Sequence, residues 1–176
     1  INCSEAAGDT PAIVPAEQEA ARAIVDHCLA RGRRRIAFLN LPGILAGRLR
    51  EAGFRAAHAD RDVPVVEPWI LPATRGARYT DYAASLVPAQ IAALMTGAAR
   101  PDAILCGNDR VALEVYGALR HHGVGIPDDV AVVSFDNQTD IARRLDPPLT
   151  TMALPYREMG RRAAEIVAGI GPAAEM

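Results

Sequence analysis

The sequence predicts an α/β fold in which parallel strands alternate with helices. Two short apolar runs, residues 103–106 and 130–135, have the length and composition of buried strands, and a helical pattern lies between them. Apolar runs of this kind are typical of parallel strands that are covered on both faces. Polar, ligand-capable residues follow the runs, with Asn108 after the first and Asp136 after the second. Ligands of open α/β sheets bind outside the carboxyl ends of the strands, so the pattern indicates a binding protein.

The other elements follow from hydrophobic periodicity and from the positions of glycine and proline. Helical faces alternate with short apolar runs along the chain, which predicts parallel strands joined by right-handed crossovers. Pro64 and Pro68 interrupt one strand candidate and favour an edge position for it. The predicted helices cover residues 15–30, 45–59, 82–96, 110–122 and 155–168, and the predicted strands cover residues 35–39, 63–71, 103–106, 130–135 and 149–154.

Composition narrows the class of protein. The chain has 176 residues, of which 50% are hydrophobic, and its net charge of −2 gives no sign of a nucleic-acid surface. Its 3 cysteines lack CxxC spacing, which predicts neither a disulfide framework nor a zinc site and favours a reducing compartment. No apolar run is long enough to cross a membrane and no signal peptide is visible, although the chain begins at Ile1 rather than at a methionine. We expect a cytoplasmic protein without a membrane partner.

The basic run at residues 31–35 (RGRRR) has two interpretations. It follows a helical pattern and precedes a strand, and cationic side chains are favoured at the negative end of a helix dipole. A phosphate-binding patch is the alternative. We favour the solvated helix end.

Motifs of catalysis and of cofactor binding find no match in the sequence. Ser134 lies outside a G-x-S-x-G elbow, and the 4 histidines show neither HExxH nor HxE spacing. The pair His121-His122 falls at a predicted helix end, where cationic residues are favoured, so a metal site is not expected. The sequence also contains no G-x-G-x-x-G motif and no P-loop. We expect a protein that is not an enzyme and that uses no cofactor.

Short motifs occur in a fixed order along the chain. They are Gly32-x-Arg34-Arg35-Ile36, Arg50-x-x-Gly53-Phe54, Cys106-x-Asn108-Asp109, Ile126-Pro127-x-Asp129-Val130-x-Val132-Val133-x-Phe135-Asp136-Asn137, Pro147-Pro148-Leu149-Thr150-Thr151 and Met159-Gly160. This ordered set resembles the effector-binding domain of the lactose/galactose-repressor (LacI/GalR) family of bacterial transcription regulators. One such motif would carry little weight, whereas the whole set spans nearly the entire chain.

The resemblance implies a type I periplasmic-binding-protein-like fold, in which two Rossmann-like parallel-sheet lobes enclose a small molecule. We expect residues 1–62 with 152–176 to form a partial N-terminal lobe, and residues 63–151 to form the C-terminal lobe. Members of the family carry a DNA-binding helix-turn-helix ahead of this segment, so that element is expected to be absent from the chain, which would be truncated at both ends. The resemblance also implies a homodimer, with residues 110–122 and 140–145 at the dimer contact.

The implied function is a switch that a ligand controls. A sugar or sugar-like effector would bind between the lobes and thereby change, by allostery, the affinity of the absent domain for operator DNA. A solute-binding protein of a transporter shares the implied fold and is the alternative function. The motif that begins at Pro147 favours the regulator.

Arg50, Asn108 and Asp136 correspond to family positions that contact the effector. A guanidinium is a rigid fork for hydroxyl or carboxylate groups, a carboxylate accepts hydroxyl hydrogens, and an amide both donates and accepts. Spacing alone favours ordinary roles for these residues, as a surface arginine, a loop asparagine and a turn aspartate. With the resemblance, we predict that Asn108 and Asp136 lie on the rim of one lobe and that Arg50 lies opposite, across the cleft.

Tyr79 completes the predicted ligand-binding set, because the family often places an aromatic ring against the ligand near this position. Trp69 is the competing ring, and core packing is the alternative role for both. Asp109 is interpreted as the cap of the helix that follows it and as an indirect contributor to the site. Glu17 lies near an acidic position of the family, but we favour a solvated helix start for it.

The loop at residues 43–47 departs from the pattern of the resembled family. It is apolar (GILAG) and about one residue shorter than usual, at a place where Ser and Thr often reach the effector. A less polar or an acidic ligand therefore stays open beside an ordinary sugar.

Overall fold

The computed structural model describes residues 12–75 and 85–170. Helices and strands alternate along these residues, as the sequence predicts. The helices are α1 (Glu17–Ala30), α2 (Leu45–Asp60), α3 (Val87–Thr96), α4 (Asp109–His121), α5 (Thr139–Ala142) and α6 (Tyr156–Val167), and the strands are β1 (Ile36–Asn40), β2 (Ile70–Pro72), β3 (Ala103–Cys106), β4 (Ala131–Asp136) and β5 (Thr150–Ala153).

The strands form one parallel sheet in the order β2-β1-β3-β4-β5. The predicted α/β class with parallel strands is confirmed. The chain adds β2 on one side of β1 and then continues with β3 on the other side, so the strand order reverses between β1 and β3. In doubly wound sheets of this order, the helices diverge at the carboxyl ends of the two strands between which the order reverses, and this leaves a crevice for a ligand.

Alternate residues of the central strands face two separate hydrophobic layers. Phe38 and Leu105 point to the layer formed with α1 and α2, which also contains Phe54. Leu39 and Ile104 point to the layer formed with α3 and α4. Because both faces of the sheet are covered, the central strands β1 and β3 are buried along their whole length.

The strand candidate at residues 63–71 is mostly a different structure. A short 3₁₀ helix, Glu67–Trp69, precedes β2, which has only three residues and lies at the edge of the sheet. Pro68 sits in the first turn of that 3₁₀ helix, where the missing N–H costs nothing. The predicted edge position is confirmed, and the prolines explain why the strand is short.

The predicted boundary between residues 62 and 63 does not separate two sheets among the described residues. β1 comes before that boundary and β3 after it, yet they are hydrogen-bonded neighbours over Ile36–Leu39 and Ala103–Cys106. α1 packs with α2 against the same sheet. The expectation that residues before 63 belong to a different lobe is therefore wrong for α1, β1 and α2.

The basic run at residues 31–35 has a structural role that neither interpretation included. Arg33 donates from Nη2 to the carbonyl of Pro127 (2.8 Å) and from Nη1 to that of Asp128 (3.3 Å). The Asp102 carboxylate accepts the backbone N–H groups of Arg34 (3.3 Å) and Arg35 (2.9 Å). The run thus connects the end of α1 to the loops before β3 and β4, and the solvated helix end is not the full description.

α6 is less buried than the helices α1 to α4. Of its residues, Met159 is the buried one, whereas Tyr156, Ile166 and Val167 are exposed by 47%, 40% and 89%. An exposed apolar stripe of this kind contrasts with the packed faces of α1 to α4. Within the described residues, no helix is long and apolar enough to span a bilayer.

α1 and α2 approach each other closely at Gly53. A Cβ atom on this residue would overlap the backbone carbonyl of Gln18 and would lie 2.8 Å from the Cβ of Ala21. Neither the carbonyl nor the Ala21 side chain can rotate away. The absence of a side chain at Gly53 therefore sets the distance between the two helices.

We expect Gly53→Ala to lower the free energy of unfolding by about 1–3 kcal/mol, because the helices must separate. The control is Gly117→Ala on α4, where a Cβ meets nothing within 4 Å and the higher helix propensity should add about 0.5–1 kcal/mol. Urea denaturation of both variants measures the difference. Equal effects of the two substitutions would contradict the close approach.

Candidate functional site

Polar side chains gather where β1, β3 and β4 end. Asn40 is the last residue of β1, Asn108 follows β3 by two residues, and Asp136 ends β4. Arg50, from the second turn of α2, reaches the same edge and contacts the carbonyl of Gly107 just after β3. The candidate site thus lies at the carboxyl edge of the sheet, beside the reversal between β1 and β3.

Arg50 is the centre of the site and is almost completely buried, with 4% of its surface exposed. Its Nε and Nη2 atoms donate to the two oxygens of Glu17 at 2.6 and 3.0 Å, and its Nη1 donates to the carbonyl of Gly107 at 2.6 Å. The guanidinium also lies over the ring of Phe135, 4.3 Å from the ring centre. A planar guanidinium that is contacted by Glu17, Gly107 and Phe135 has little freedom to rotate.

Asp136 lies beside this ion pair rather than inside it. One of its oxygens is 3.8 Å from Nη2 of Arg50, which is an ion-pair distance but too long for a hydrogen bond. The other oxygen accepts from the side-chain amide of Gln138 at 3.2 Å. The Asp136 side chain is 9% exposed, so its carboxylate keeps some access to a ligand at the edge of the sheet.

The prediction that Arg50 lies opposite Asn108 and Asp136, across a cleft, is wrong. All three side chains belong to one wall, because α2 packs on the sheet that β3 and β4 help to form. The sequence pattern could not show this. The family resemblance identified the three residues, and neither it nor the pattern determined which strands share a sheet.

The helix cap that the sequence analysis assigned to Asp109 is formed by Asn108 instead. Asn108 has an extended backbone and caps α4, since its Oδ1 accepts the backbone N–H of Val111 at 2.9 Å. Asp109 is already the first residue of the helix and is not the cap. Its Oδ2 accepts the backbone N–H of Gln138 at 2.6 Å, and its Oδ1 accepts the hydroxyl of Thr151 at 2.7 Å.

The environment of Asp109 is unfavourable for a charge. Burial raises the pKa of its carboxyl above the ordinary value of 3.8, and the nearby Asp136 adds to the rise. Hydrogen bonds from Thr151, from the backbone of Gln138 and from Ser134 act in the opposite direction. The carboxyl is thus held by polar partners in a place that water does not reach.

The remaining candidates have separate outcomes. Glu17 is 4% exposed and paired with Arg50, so the expected solvated helix start is wrong. Trp69 is half-buried and packs against the layer formed with α3 and α4, which supports the packing alternative for this ring. Tyr79 lies outside the described residues, and its role stays a prediction.

The sequence analysis missed three residues that complete the site, namely Asn40, Gly107 and Phe135. Asn40 donates to Glu51 at 3.1 Å and accepts the backbone N–H of Leu41 at 2.7 Å, so it fixes the turn after β1. Gly107 contributes a backbone carbonyl and Phe135 a ring face to Arg50. A polar residue after each apolar run was a usable signal for Asn40, whereas a carbonyl and a ring face leave no mark in the pattern.

A cavity of about 410 Å³ lies elsewhere, near the amino ends of β4 and β5. Its wall includes His27, Arg31, Pro127 and Thr150. We place the candidate site at the carboxyl edge because the buried amide and carboxylate groups converge there, and such groups fix the orientation of a ligand.

Comparisons with known proteins agree with this description. The sequence profile of the family described as "Periplasmic binding protein-like domain" matches residues 25–172. The sucrose operon repressor of Escherichia coli is 38% identical over 166 residues, which are 93% of this chain and 49% of the repressor. The HTH-type transcriptional repressor PurR of Vibrio parahaemolyticus is 39% identical over 123 residues, which are 70% of this chain and 34% of PurR.

A solved structure shows the same fold. The crystal structure of a LacI-family transcriptional regulator from Rhizobium etli matches with a TM-score of 0.80 at 32% identity, over 90% of this chain and 56% of that one. The chain therefore spans from about one third to one half of the curated relatives named above and rather more than half of this structure.

The buried pair predicts a stability effect that an exposed acid does not share. Glu17→Gln leaves the Arg50 charge without its main partner, and we expect a loss of unfolding free energy on the order of 3 kcal/mol. Glu19→Gln, an exposed residue in the same first turn of α1, is the control and should change stability by less than about 0.5 kcal/mol.

A double-mutant cycle separates the pair from its parts. Adding Arg50→Leu to Glu17→Gln removes the unpaired charge, so the double variant should be more stable than the sum of the single changes predicts. Chemical denaturation of the four proteins measures the coupling. Additive losses would contradict a direct interaction between the two side chains.

Proposed function

The chain belongs to the periplasmic binding protein-like domain family, in the form that LacI-family regulators carry, and on this premise we propose that it is the effector-binding part of a transcriptional regulator. The observation that carries the proposal is the convergence of Arg50, Asn108 and Asp136 at the carboxyl edge of the sheet. The relatives named above are repressors, which favours a regulator over a solute-binding protein of a transporter.

The site supports a ligand that is rich in hydroxyl groups. Asp136 offers carboxylate oxygens as acceptors, and the side-chain amide of Asn108 has an N–H₂ group to donate while its oxygen caps α4. Acceptors and donors placed side by side match the alternating hydroxyls of a sugar. We therefore propose a sugar or sugar-like effector, in line with the relative that is named for the sucrose operon.

The charges of the site favour a neutral ligand over an acidic one. Arg50 stands against two carboxylates, those of Glu17 and Asp136, and its Nε and Nη2 already donate to Glu17. An anionic ligand would have to displace Glu17 or accept repulsion from Asp136 in a buried setting. Of the less polar and the acidic ligand that the apolar loop at residues 43–47 left open, our proposal disfavours the acidic one.

The described residues supply one wall, and we propose that a second lobe supplies the other. Ile166 and Val167 of α6 support this, because α6 follows the last strand of the sheet and both of these apolar side chains are exposed. α6 would then belong to the second lobe, whereas Met152 and Ala153, which the sequence analysis also assigned to that lobe, pair with β4 in the described sheet. A ligand that contacts both walls would stabilise the closed arrangement and shift the population of states.

The closed and open states would differ in their affinity for operator DNA through a DNA-binding segment elsewhere in the protein. The lengths of the relatives, two to three times that of the matched segment, support such a segment. A cytoplasmic homodimer with contacts at residues 110–122 and 140–145 completes the proposal. Exposed Leu113 on α4, with 49% of its surface accessible, supports this contact.

A thermal-shift screen of the full-length protein tests the ligand class. Matched probes are glucose with glucuronate and galactose with galacturonate, together with sucrose and cellobiose. We expect one or more neutral sugars to raise the melting temperature and the matched acids to have little effect, since only a ligand of the native state stabilises it. Shifts produced by the acids alone would overturn the neutral preference.

Asp136→Asn tests the site with the best sugar from that screen. The variant keeps the shape of the side chain but loses the charged acceptor, so we expect the dissociation constant to rise about tenfold to one-hundredfold by titration calorimetry. The control is Asp128→Asn, an exposed residue before β4 that lies outside the proposed dimer contacts. Unchanged affinity in the Asp136 variant would contradict the site.

A further inference from the structure

The loop that carries the ligand-binding carboxylate has an unfavourable backbone. Asp136 has φ +104° and Asn137 has φ +51°, so two consecutive residues other than glycine lie in the left-handed region. Each such residue is uncommon and persists only where the surroundings hold it. The geometry directs the Asp136 side chain to within 3.8 Å of Arg50. Something must therefore hold the loop after β4.

The buried Asp109 and the half-buried Thr151 hold the backbone at the second strained residue and at the residue that follows it. The N–H of Asn137 donates to the hydroxyl oxygen of Thr151 at 3.2 Å, and the N–H of Gln138 donates to Oδ2 of Asp109 at 2.6 Å. The Thr151 hydroxyl donates in turn to Oδ1 of Asp109 at 2.7 Å. Both oxygens of Asp109 are thus engaged by the loop and by β5.

Gln138 also contacts Asp136, the carboxylate that is proposed to bind the ligand. The side-chain amide of Gln138 donates to Oδ2 of Asp136 at 3.2 Å. A hydrogen-bonded path therefore runs from β5 through Thr151 and Asp109 to Gln138 and ends at the oxygen that would contact a ligand. Every atom along this path belongs to the described residues.

We propose that Asp109 and Thr151 are positioning residues, which hold the loop after β4 in its left-handed conformation and so present Asp136 to the effector. This inference rests on the proposed function for the meaning of Asp136, but the positioning itself is independent of any ligand. Neither residue touches the effector in this account. They act only through the backbone of Asn137 and Gln138.

The position of Thr151 gives the network a further consequence. Thr151 lies opposite Ser134 on the neighbouring strand, and only Leu154 and Pro155 separate β5 from α6. A ligand that displaces Asp136 would therefore disturb the hydrogen bonds of Thr151 in β5, the strand that leads directly to α6. The network joins the ligand-binding loop to the segment that leaves the sheet.

A simple helix-start role for Asp109 does not account for these contacts. An acidic residue in the first turn of α4 is favoured by the helix dipole without any partner. Asp109 is instead 0% exposed, and its two oxygens contact groups that lie 29 and 42 residues further along the chain. Burying a carboxylate is costly unless it is fully hydrogen-bonded, so these partners are part of its role.

Three variants at β5 test the positioning in the full-length protein. Thr151→Val keeps the shape but removes the hydroxyl, Thr151→Ser restores the hydroxyl, and Thr150→Val removes a hydroxyl from the exposed neighbouring residue as the control. The readouts are the amide hydrogen exchange of Asn137 and Gln138, and the φ-sensitive N–H to Hα couplings of Asp136 and Asn137 measured by NMR.

We expect Thr151→Val to accelerate exchange of the two amides at least about fivefold and to shift the couplings, with both effects reversed by Thr151→Ser and absent in Thr150→Val. A general loss of stability would not change φ at two residues. Unchanged exchange and couplings in Thr151→Val would overturn the proposal. Asp109→Asn keeps only one acceptor oxygen, so we expect at least one of the Asn137 and Gln138 amides to lose its protection from hydrogen exchange.

The outcome also separates this inference from the proposed function. If no sugar binds the unmodified protein while Thr151→Val still disturbs the loop, the positioning stands and the effector proposal fails. If a sugar binds the unmodified protein and Thr151→Val with equal affinity, and the loop is undisturbed, the effector proposal stands and the positioning fails.

Discussion

The buried ion pair between Arg50 and Glu17 is the constraint on which the site depends. It joins the first turn of α1 to α2, and the same guanidinium reaches the carbonyl of Gly107 after β3. Two helices and one strand end are thereby fixed relative to each other. Because both side chains are shielded from water, the ion pair holds the Arg50 guanidinium in one geometry. The guanidinium in turn fixes the positive charge that the Asp136 carboxylate faces at 3.8 Å.

The fold places this pair where a ligand can use it. Reversal of strand order between β1 and β3 makes the helices diverge, and the close approach of α1 to α2 at Gly53 keeps Glu17 within reach of Arg50. The strained loop at Asp136 then brings a partly accessible carboxylate to the same edge. Rigid groups and one accessible acceptor form a preorganised wall, which reduces the cost of binding.

Most of the fold and part of the site could be predicted from the sequence. The strands β3 and β4 were located from short apolar runs, because parallel strands buried on both faces leave that pattern. The apolar runs indicated that Asn108 and Asp136 lie at one edge of the sheet, and the family resemblance assigned them to the ligand. The pairing of β1 with β3 could not be predicted, since hydrogen-bonded neighbours leave no local signal, and this misplaced Arg50 across a cleft. Glu17 was a secondary candidate, but its pairing with Arg50 was missed for a similar reason, as the two residues are 33 positions apart.

A crystal structure of the protein with a bound neutral sugar would show where the effector binds. If the proposal is right, the sugar lies at the carboxyl edge of the sheet, within hydrogen-bond distance of Asp136 and of the Asn108 amide, while Glu17 stays paired with Arg50. A sugar bound in the cavity near His27 and Thr150, or one that takes the place of Glu17 on Arg50, would contradict it.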